Sequence, residues 1–255
     1  MFDLEKYNLV DLSPRMIGRI KRLNGDIEEG NADAYGLPWV LEEGVADYDN
    51  TKYALVGGFK GDTVWPFGRM SGHFGSHTEG GKGHLDHWEG LPDDVQGLWE
   101  YPLEQFFGPA AVCNLADLKP VETTNDKGET VMRGQPVLPE HLSNIQEGDI
   151  VLMGSDYKGS EQPYIPRETA AWLAEKKIKM LAVQVPGLIW ESDAQKEQPH
   201  NSPTHRAMLG NNIPITYPLT NITSIKRDRV FYFGFPLSVE NLDGCWIRAI
   251  VFEEK

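Results

Sequence analysis

The sequence predicts a mixed α/β fold in one domain, residues 1–255, with helices flanking a mixed sheet. Three observations lead there. Pro166–Lys177 has helical spacing at Ala170, Leu173 and Ala174 and runs straight into the apolar stretch Lys179–Val185, a helix-to-buried-strand unit typical of α/β chains. Ala110–Leu115 reads as a buried strand, and Glu147–Met153 as a turn followed by another. The chain then ends in three strand candidates, Ile213–Tyr217, Arg229–Phe235 and Trp246–Phe252.

The remaining elements follow in order. Tyr7–Ser13 opens with a short strand ending near Asp11, after which a Gly/Asn/Asp-spaced segment of weak periodicity runs to about residue 50. Lys52–Val56, closed by Gly57 and Gly58, reads as a strand. Tyr101–Leu115 predicts a helical turn, a break at Gly108-Pro109, and then the buried strand. A polar hairpin is expected around Asn125–Gly128. Within Pro166–Lys177, the early Glu168 and the late Lys176 and Lys177 suit the helix dipole. The segment 190–203 is loop-like, and Thr204–Leu209 predicts a short helix with Ser202 or Thr204 near its N-cap.

Composition narrows the function classes. The 255 residues carry 24 Lys+Arg against 38 Asp+Glu, a net charge of −14, which argues against a phosphate-backbone partner. No nucleic acid is expected. The N-terminus lacks a basic region followed by an apolar core, and no run of 18 apolar residues occurs, so a cytoplasmic protein with no membrane association is expected. Cys113 and Cys245 stand apart in apolar surroundings without Cys-x-x-Cys spacing, which suits reduced, packed thiols.

The stretch Ser71–His87, SGHFGSHTEGGKGHLDH, concentrates the chemistry: four of the seven histidines, with five glycines and two carboxylates. His73 and His77 are four apart, yet Gly72, Gly75, Gly80, Gly81 and Gly83 would each cost roughly 1 kcal/mol inside a helix, so a folded loop is expected. Such a loop lets His73, His77 and Glu79 converge as three ligands for a divalent ion that keeps an open position. His84 is then placed to move a proton, and Asp86 and His87 to orient the ligands. A solvated glycine-rich loop carrying imidazoles is the competing reading of the same residues.

These residues resemble the signature His-x-Gly-Thr-His-x-Asp-x-Pro-x-His of the cyclase-type metal-dependent hydrolases, which include kynurenine formamidases, isatin hydrolases and trans-dienelactone hydrolases. The counterpart runs from His73 through Gly75, Ser76, His77, Glu79 and Gly81 to His84. The likeness extends through Asp11-Leu12-Ser13, Pro102-Leu103-Glu104, Gly108-Pro109-Ala110, Gly148–Leu152, His205 with Leu209, Leu219–Ile222, Asp243-Gly244 and Arg248-Ala249. It implies a swivelling β/β/α fold and a site for divalent metal, Zn²⁺ or Mn²⁺. It also implies a homodimer or homotetramer, and hydrolysis of a small cyclic or aryl amide or lactone by metal-bound hydroxide. His73, His77 and Glu79 would be the ligands and His84 the proton carrier, with His87 as the alternative.

Departures from the pattern matter as much. Ser76 replaces Thr, Glu79 replaces Asp, Gly81 replaces Pro, and His84 comes one position late. Where relatives with two ions have a bridging glutamate, twelve positions after the histidine corresponding to His205, this chain has Tyr217, a neutral phenol. One ion is therefore expected, with His205 in the catalytic pocket and Tyr217 and Trp65 lining it for substrate. For His205 a helix-end histidine bound to backbone, and for Tyr217 a core aromatic, remain the structural alternatives. Trp39, Phe67, Trp88 and Trp190 are further wall candidates, and Glu191 or Asp193 could supply a missing carboxylate. A lyase, or a binding protein that has lost catalysis, is the alternative function.

Overall fold

The computed structural model describes residues 3–14, 72, 73, 75–85, 90–189 and 202–255. The segment Lys52–Val56 and the residues Trp39, Trp65, Phe67, Asp86, His87, Trp88, Trp190, Glu191 and Asp193 lie outside them.

Eleven strands are formed by the described residues: β1 (Tyr7–Asp11), β2 (His77–Glu79), β3 (Phe107–Asn114), β4 (Val121–Thr124), β5 (Thr130–Arg133), β6 (Ile150–Gly154), β7 (Met180–Gln184), β8 (Ile215–Leu219), β9 (Arg229–Phe233), β10 (Gly244–Trp246) and β11 (Ile250–Glu254). The helices are α1 (Arg167–Glu175) and α2 (Pro203–Leu209). Nine strands join one mixed sheet in the order β1-β11-β9-β3-β6-β7-β8-β2-β10, and β4 and β5 form the separate hairpin expected around Asn125–Gly128. The four central strands, β3, β6, β7 and β8, run parallel, while their neighbours on both sides are antiparallel.

The sheet curls, and the chain length proves it. Only Ile247, Arg248 and Ala249 separate β10 from β11, a reach of roughly 14 Å. Those strands stand seven inter-strand steps apart, about 34 Å if the sheet were flat. Backbone bonds knit the closure: Leu12 N–H donates to Ala249 O (2.9 Å), Thr220 N–H to Leu12 O (2.8 Å) and Ile247 N–H to Ser76 O (2.9 Å).

The central strands are buried on both faces because period-2 alternation sends apolar side chains each way. Inside the curl lie Ile150, Leu152, Met180, Ala182 and Tyr232, joined by Leu12, Ala249 and Val251 and by Ile222 from the turn after β8. The opposite face presents Val151, Met153, Leu181, Val183 and Ile215 to Ala170 and Leu173 of α1 and to Met208 and Leu209 of α2. This is the expected layering of a mixed sheet with flanking helices. Helix α1 ends as Lys177 enters the left-handed region at φ 55°, its N–H bonded to Ala174 O. Both cysteines are free and buried, as expected.

Three boundaries differ from expectation. Strand β3 does not break at Gly108-Pro109 but runs through it: Gly108 sits at φ 141°, a conformation only glycine adopts freely, and Pro109 lies where β3 pairs with β9 alone, since the ladder to β6 begins at Ala110. The predicted strand Trp246–Phe252 is two strands at opposite ends of the sheet order, split by the closure of the curl. The Ile213–Tyr217 strand lies two residues further on, at Ile215–Leu219.

Candidate metal centre

The histidine stretch is not loop throughout. His77, Thr78 and Glu79 form β2, held between β8 and β10, where the expectation was an irregular wrap. The ladders on both sides outweigh the glycines around them, and strand geometry settles the side-chain directions. Alternation places His77 and Glu79 on one face, while Thr78 turns to the other and bonds Thr216 Oγ1 at 2.8 Å. Tyr217, directly opposite His77 on β8, shares that first face.

Glu79 is the hub. It is fully buried (0% exposed) and takes partners on both oxygens. On Oε1 converge His73 Nδ1 (3.1 Å), His77 Nε2 (3.3 Å) and the Tyr217 hydroxyl, which donates. On Oε2 converge His84 Nε2 (3.2 Å) and His205 Nε2 (3.1 Å). His84 arrives on a 3₁₀ turn, Lys82–His84, that passes Asp243 so closely that a Cβ on Gly83 would stand 2.4 Å from Asp243 N. His205 arrives on the first turns of α2, where Ser202 caps the helix: its Oγ accepts from His205 N (3.2 Å) and lies 3.1 Å from His205 Nδ1. Of the two cap candidates in the sequence, Ser202 and Thr204, Ser202 is the one used, and it also touches the imidazole.

Electrostatics follow from this crowding. Burial alone would raise the Glu79 pKa, but hydrogen bonds and charge from His205, with His73 and His77, hold it well below the usual carboxylate range. His73 shows the mirror effect. Burial opposes its protonation, yet hydrogen bonds to Asp243 and Glu79 prevail and lift it to about 10. Asp243, bonded to His73, is correspondingly lowered against its own desolvation.

The donor set suits a divalent cation. One ligand atom each from His73, His77 and Glu79 lies within 4.8 Å of the others, and the two His–Glu separations of 3.1 and 3.3 Å approach the about 3.4 Å between donors bonded at 2.0–2.2 Å around a tetrahedral ion. His77 adds a chemical reason. Its Nδ1 is 2.8 Å from Gly75 O, an acceptor, so the neutral ring carries its proton there. Nε2 then turns a lone pair toward a carboxylate oxygen, a juxtaposition a cation resolves.

The structure therefore brings together six of the residues singled out from sequence: His73, His77, Glu79, His84, His205 and Tyr217. His205 and Tyr217 belong to the cluster, bonded to Glu79 rather than only to backbone or core. Trp65 lies outside the described residues. Asp243, 3.1 Å from His73 Nε2, was not foreseen as a site residue. A single aspartate in a turn carries no chemical signature, and only its place in the Asp243-Gly244 pair marked it.

At the β8-β2-β10 end of a curled mixed sheet the histidine stretch forms a buried histidine–carboxylate cluster that could hold a metal ion, in place of a solvated loop. A family model described as Putative cyclase matches residues 14–188, and the chain belongs to that Cyclase family. Solved structures share the fold. A potential metal-dependent hydrolase with cyclase activity is 17% identical over 98% of this chain and 99% of its own, with a TM-score of 0.59. Isatin hydrolase A from Labrenzia aggregata, bound to benzyl benzoate, is 18% identical over 98% and 95%, with a TM-score of 0.62. Isatin hydrolase A from Ralstonia solanacearum is 16% identical over 98% and 93%, also at 0.62. At these identities the likeness establishes the fold. No curated protein matches the chain. No helix among the described residues is long and apolar enough to cross a membrane.

Proposed function

We propose that this chain is a metal-dependent hydrolase that opens a small cyclic or aryl amide or lactone. The observation that carries the reading is the convergence of His73, His77 and Glu79 in a buried site, with His84 and His205 on the far oxygen of the same carboxylate. A single Zn²⁺ or Mn²⁺ held by His73 Nδ1, His77 Nε2 and Glu79 would supply Lewis acidity, polarising a carbonyl and acidifying water.

The chain's own residues supply the rest. His84 Nε2 takes one proton of the attacking water and returns it to the leaving nitrogen or oxygen as the acyl bond breaks, so water's oxygen and its other proton end on the acyl carbon and the transferred proton on the leaving heteroatom. His205 Nε2, 3.1 Å from the same carboxylate oxygen and steadied by Ser202, fixes that oxygen beside the transfer. Tyr217 fixes Oε1 of Glu79. Burial of His77 (1% exposed), Glu79 and His84 keeps bulk water from the proton path. A homodimer or homotetramer belongs to the same reading, and light scattering on the purified protein measures it.

The test is a hydrolysis panel of aryl formamides, isatins and lactones, run with the metal-free protein and with added Zn²⁺ or Mn²⁺. Turnover of one class that depends on the added ion, and is lost in His77→Ala, supports the reading. An ion-loaded, folded protein that turns over nothing in the panel would favour a small-molecule binding protein.

A further inference from the structure

We propose that Asp243 is a positioning residue for His73, holding that imidazole so that Nδ1 faces Glu79 and any bound ion. This rests on the metal reading above. Four ring nitrogens of the cluster turn toward Glu79, those of His73, His77, His84 and His205, and three of these rings are tethered through the other nitrogen: His77 Nδ1 to Gly75 O at 2.8 Å, His205 Nδ1 to Ser202 Oγ at 3.1 Å, and His73 Nε2 to Asp243 Oδ1 at 3.1 Å. Of the three tethers only Asp243 is a carboxylate. A carboxylate behind a ligating histidine fixes the proton on the far nitrogen, sets the ring's orientation and raises the basicity of the near nitrogen.

His73 needs such a hold more than its neighbours. It lies outside β2, and its side chain is 33% exposed against 1% for Glu79. Position 243 is itself anchored. Gly80 N–H at the end of β2 donates to Asp243 O (3.0 Å), and Asp243 Oδ1 also accepts from Gly244 N (2.8 Å). The next residue completes the cradle: a Cβ built on Gly244 would come within 3.2 Å of His73 Cε1 and 3.4 Å of both ring nitrogens, so glycine lets the ring lie flat against β10. Gly72, just before His73, makes the matching approach from the facing segment, its Cβ position falling 2.0 Å from Gly244 O. Glycines on both sides and the aspartate between them leave His73 one seat.

The experiment measures Zn²⁺ and Mn²⁺ affinity by calorimetry or chelator competition, with the unfolding temperature of the ion-free protein recorded beside it. Asp243→Asn keeps an oxygen for Gly244 N–H and removes the charge behind His73, so affinity should fall by about 10–100-fold while the ion-free protein unfolds as the wild type does. In a His73→Ala background the same substitution should leave the remaining affinity within about twofold, because its effect travels through His73. In Zn²⁺-loaded wild type, ¹⁵N-histidine spectra should place the His73 proton on Nε2. Affinity unchanged in Asp243→Asn, an equal loss with and without His73, or a His73 proton on Nδ1 would each overturn the proposal. Wild-type protein that binds neither ion would instead sink the metal reading itself, and this inference with it.

Discussion

Replacing Tyr217 by Phe isolates one bond in the cluster. The phenol ring packs edge-on against His77 with centroids 4.4 Å apart, and Phe preserves that contact. What disappears is the hydroxyl that donates to Glu79 Oε1. A hydrogen bond to a charged group is worth about 1.5–3 kcal/mol. Oε1 keeps His73 as a partner, so no carboxylate oxygen is stranded and the lower end, about 1.5 kcal/mol, applies. For a chain of this size that lowers the unfolding temperature of the ion-free protein by roughly 3–6 °C. Calorimetry or urea titration on metal-free protein reads the shift, and a double-mutant cycle with Glu79→Leu, which removes the acceptor, assigns it. If Tyr217→Phe matches wild type, or the two substitutions add to within about 0.5 kcal/mol, the hydroxyl does not support Glu79 and its place in the site is incidental.

Three further outcomes follow from the same structure. Ser202→Ala should cost about 1 kcal/mol through loss of the α2 N-cap, and should also lower the hydrolytic rate by freeing the His205 ring; unchanged turnover would confine Ser202 to helix capping. Leu173→Ala, at a fully buried position of α1 against the sheet, should destabilise by about 2–5 kcal/mol in urea without altering ion stoichiometry. Burial pushes the Cys113 thiol up to about 12 from 9.0, and raises the Tyr101 and Tyr232 phenols as well. The folded state thus favours neutral forms that the unfolded chain gives up earlier, so this stability is intact below about pH 9 and is lost as pH rises toward 12. Urea titrations at pH 8 and pH 10.5 should show the decline, and a thiol reagent at pH 8 should leave Cys113 unmodified until the protein unfolds.

Local pattern made much of this legible. The α1–β7 unit, the buried β6 and the hairpin between β4 and β5 each announce themselves over a few residues, through helical spacing, an apolar run or turn chemistry. Closure of the sheet does not. Nothing in Trp246–Phe252 shows that three residues carry the chain between the two ends of a curled sheet, because the apolar run is interrupted only by Arg248. In the site, His77 and Glu79 are two apart, the spacing that puts both on one face of a strand, but the surrounding glycines argued for loop and the partners β8 and β10 that make β2 a strand come from far along the chain. Tyr217 and His205 were legible as departures from and matches to a family pattern. Asp243 gains its role only through a contact with His73 that folding creates.

The most direct test is anomalous diffraction from crystals of protein loaded with Zn²⁺ or Mn²⁺, collected on both sides of the metal's absorption edge. The account predicts one anomalous peak per chain, within about 2.0–2.3 Å of His73 Nδ1, His77 Nε2 and a Glu79 oxygen. A peak elsewhere in the molecule, a second peak of equal height between His84 and His205, or none at all in crystals grown with excess ion would contradict it.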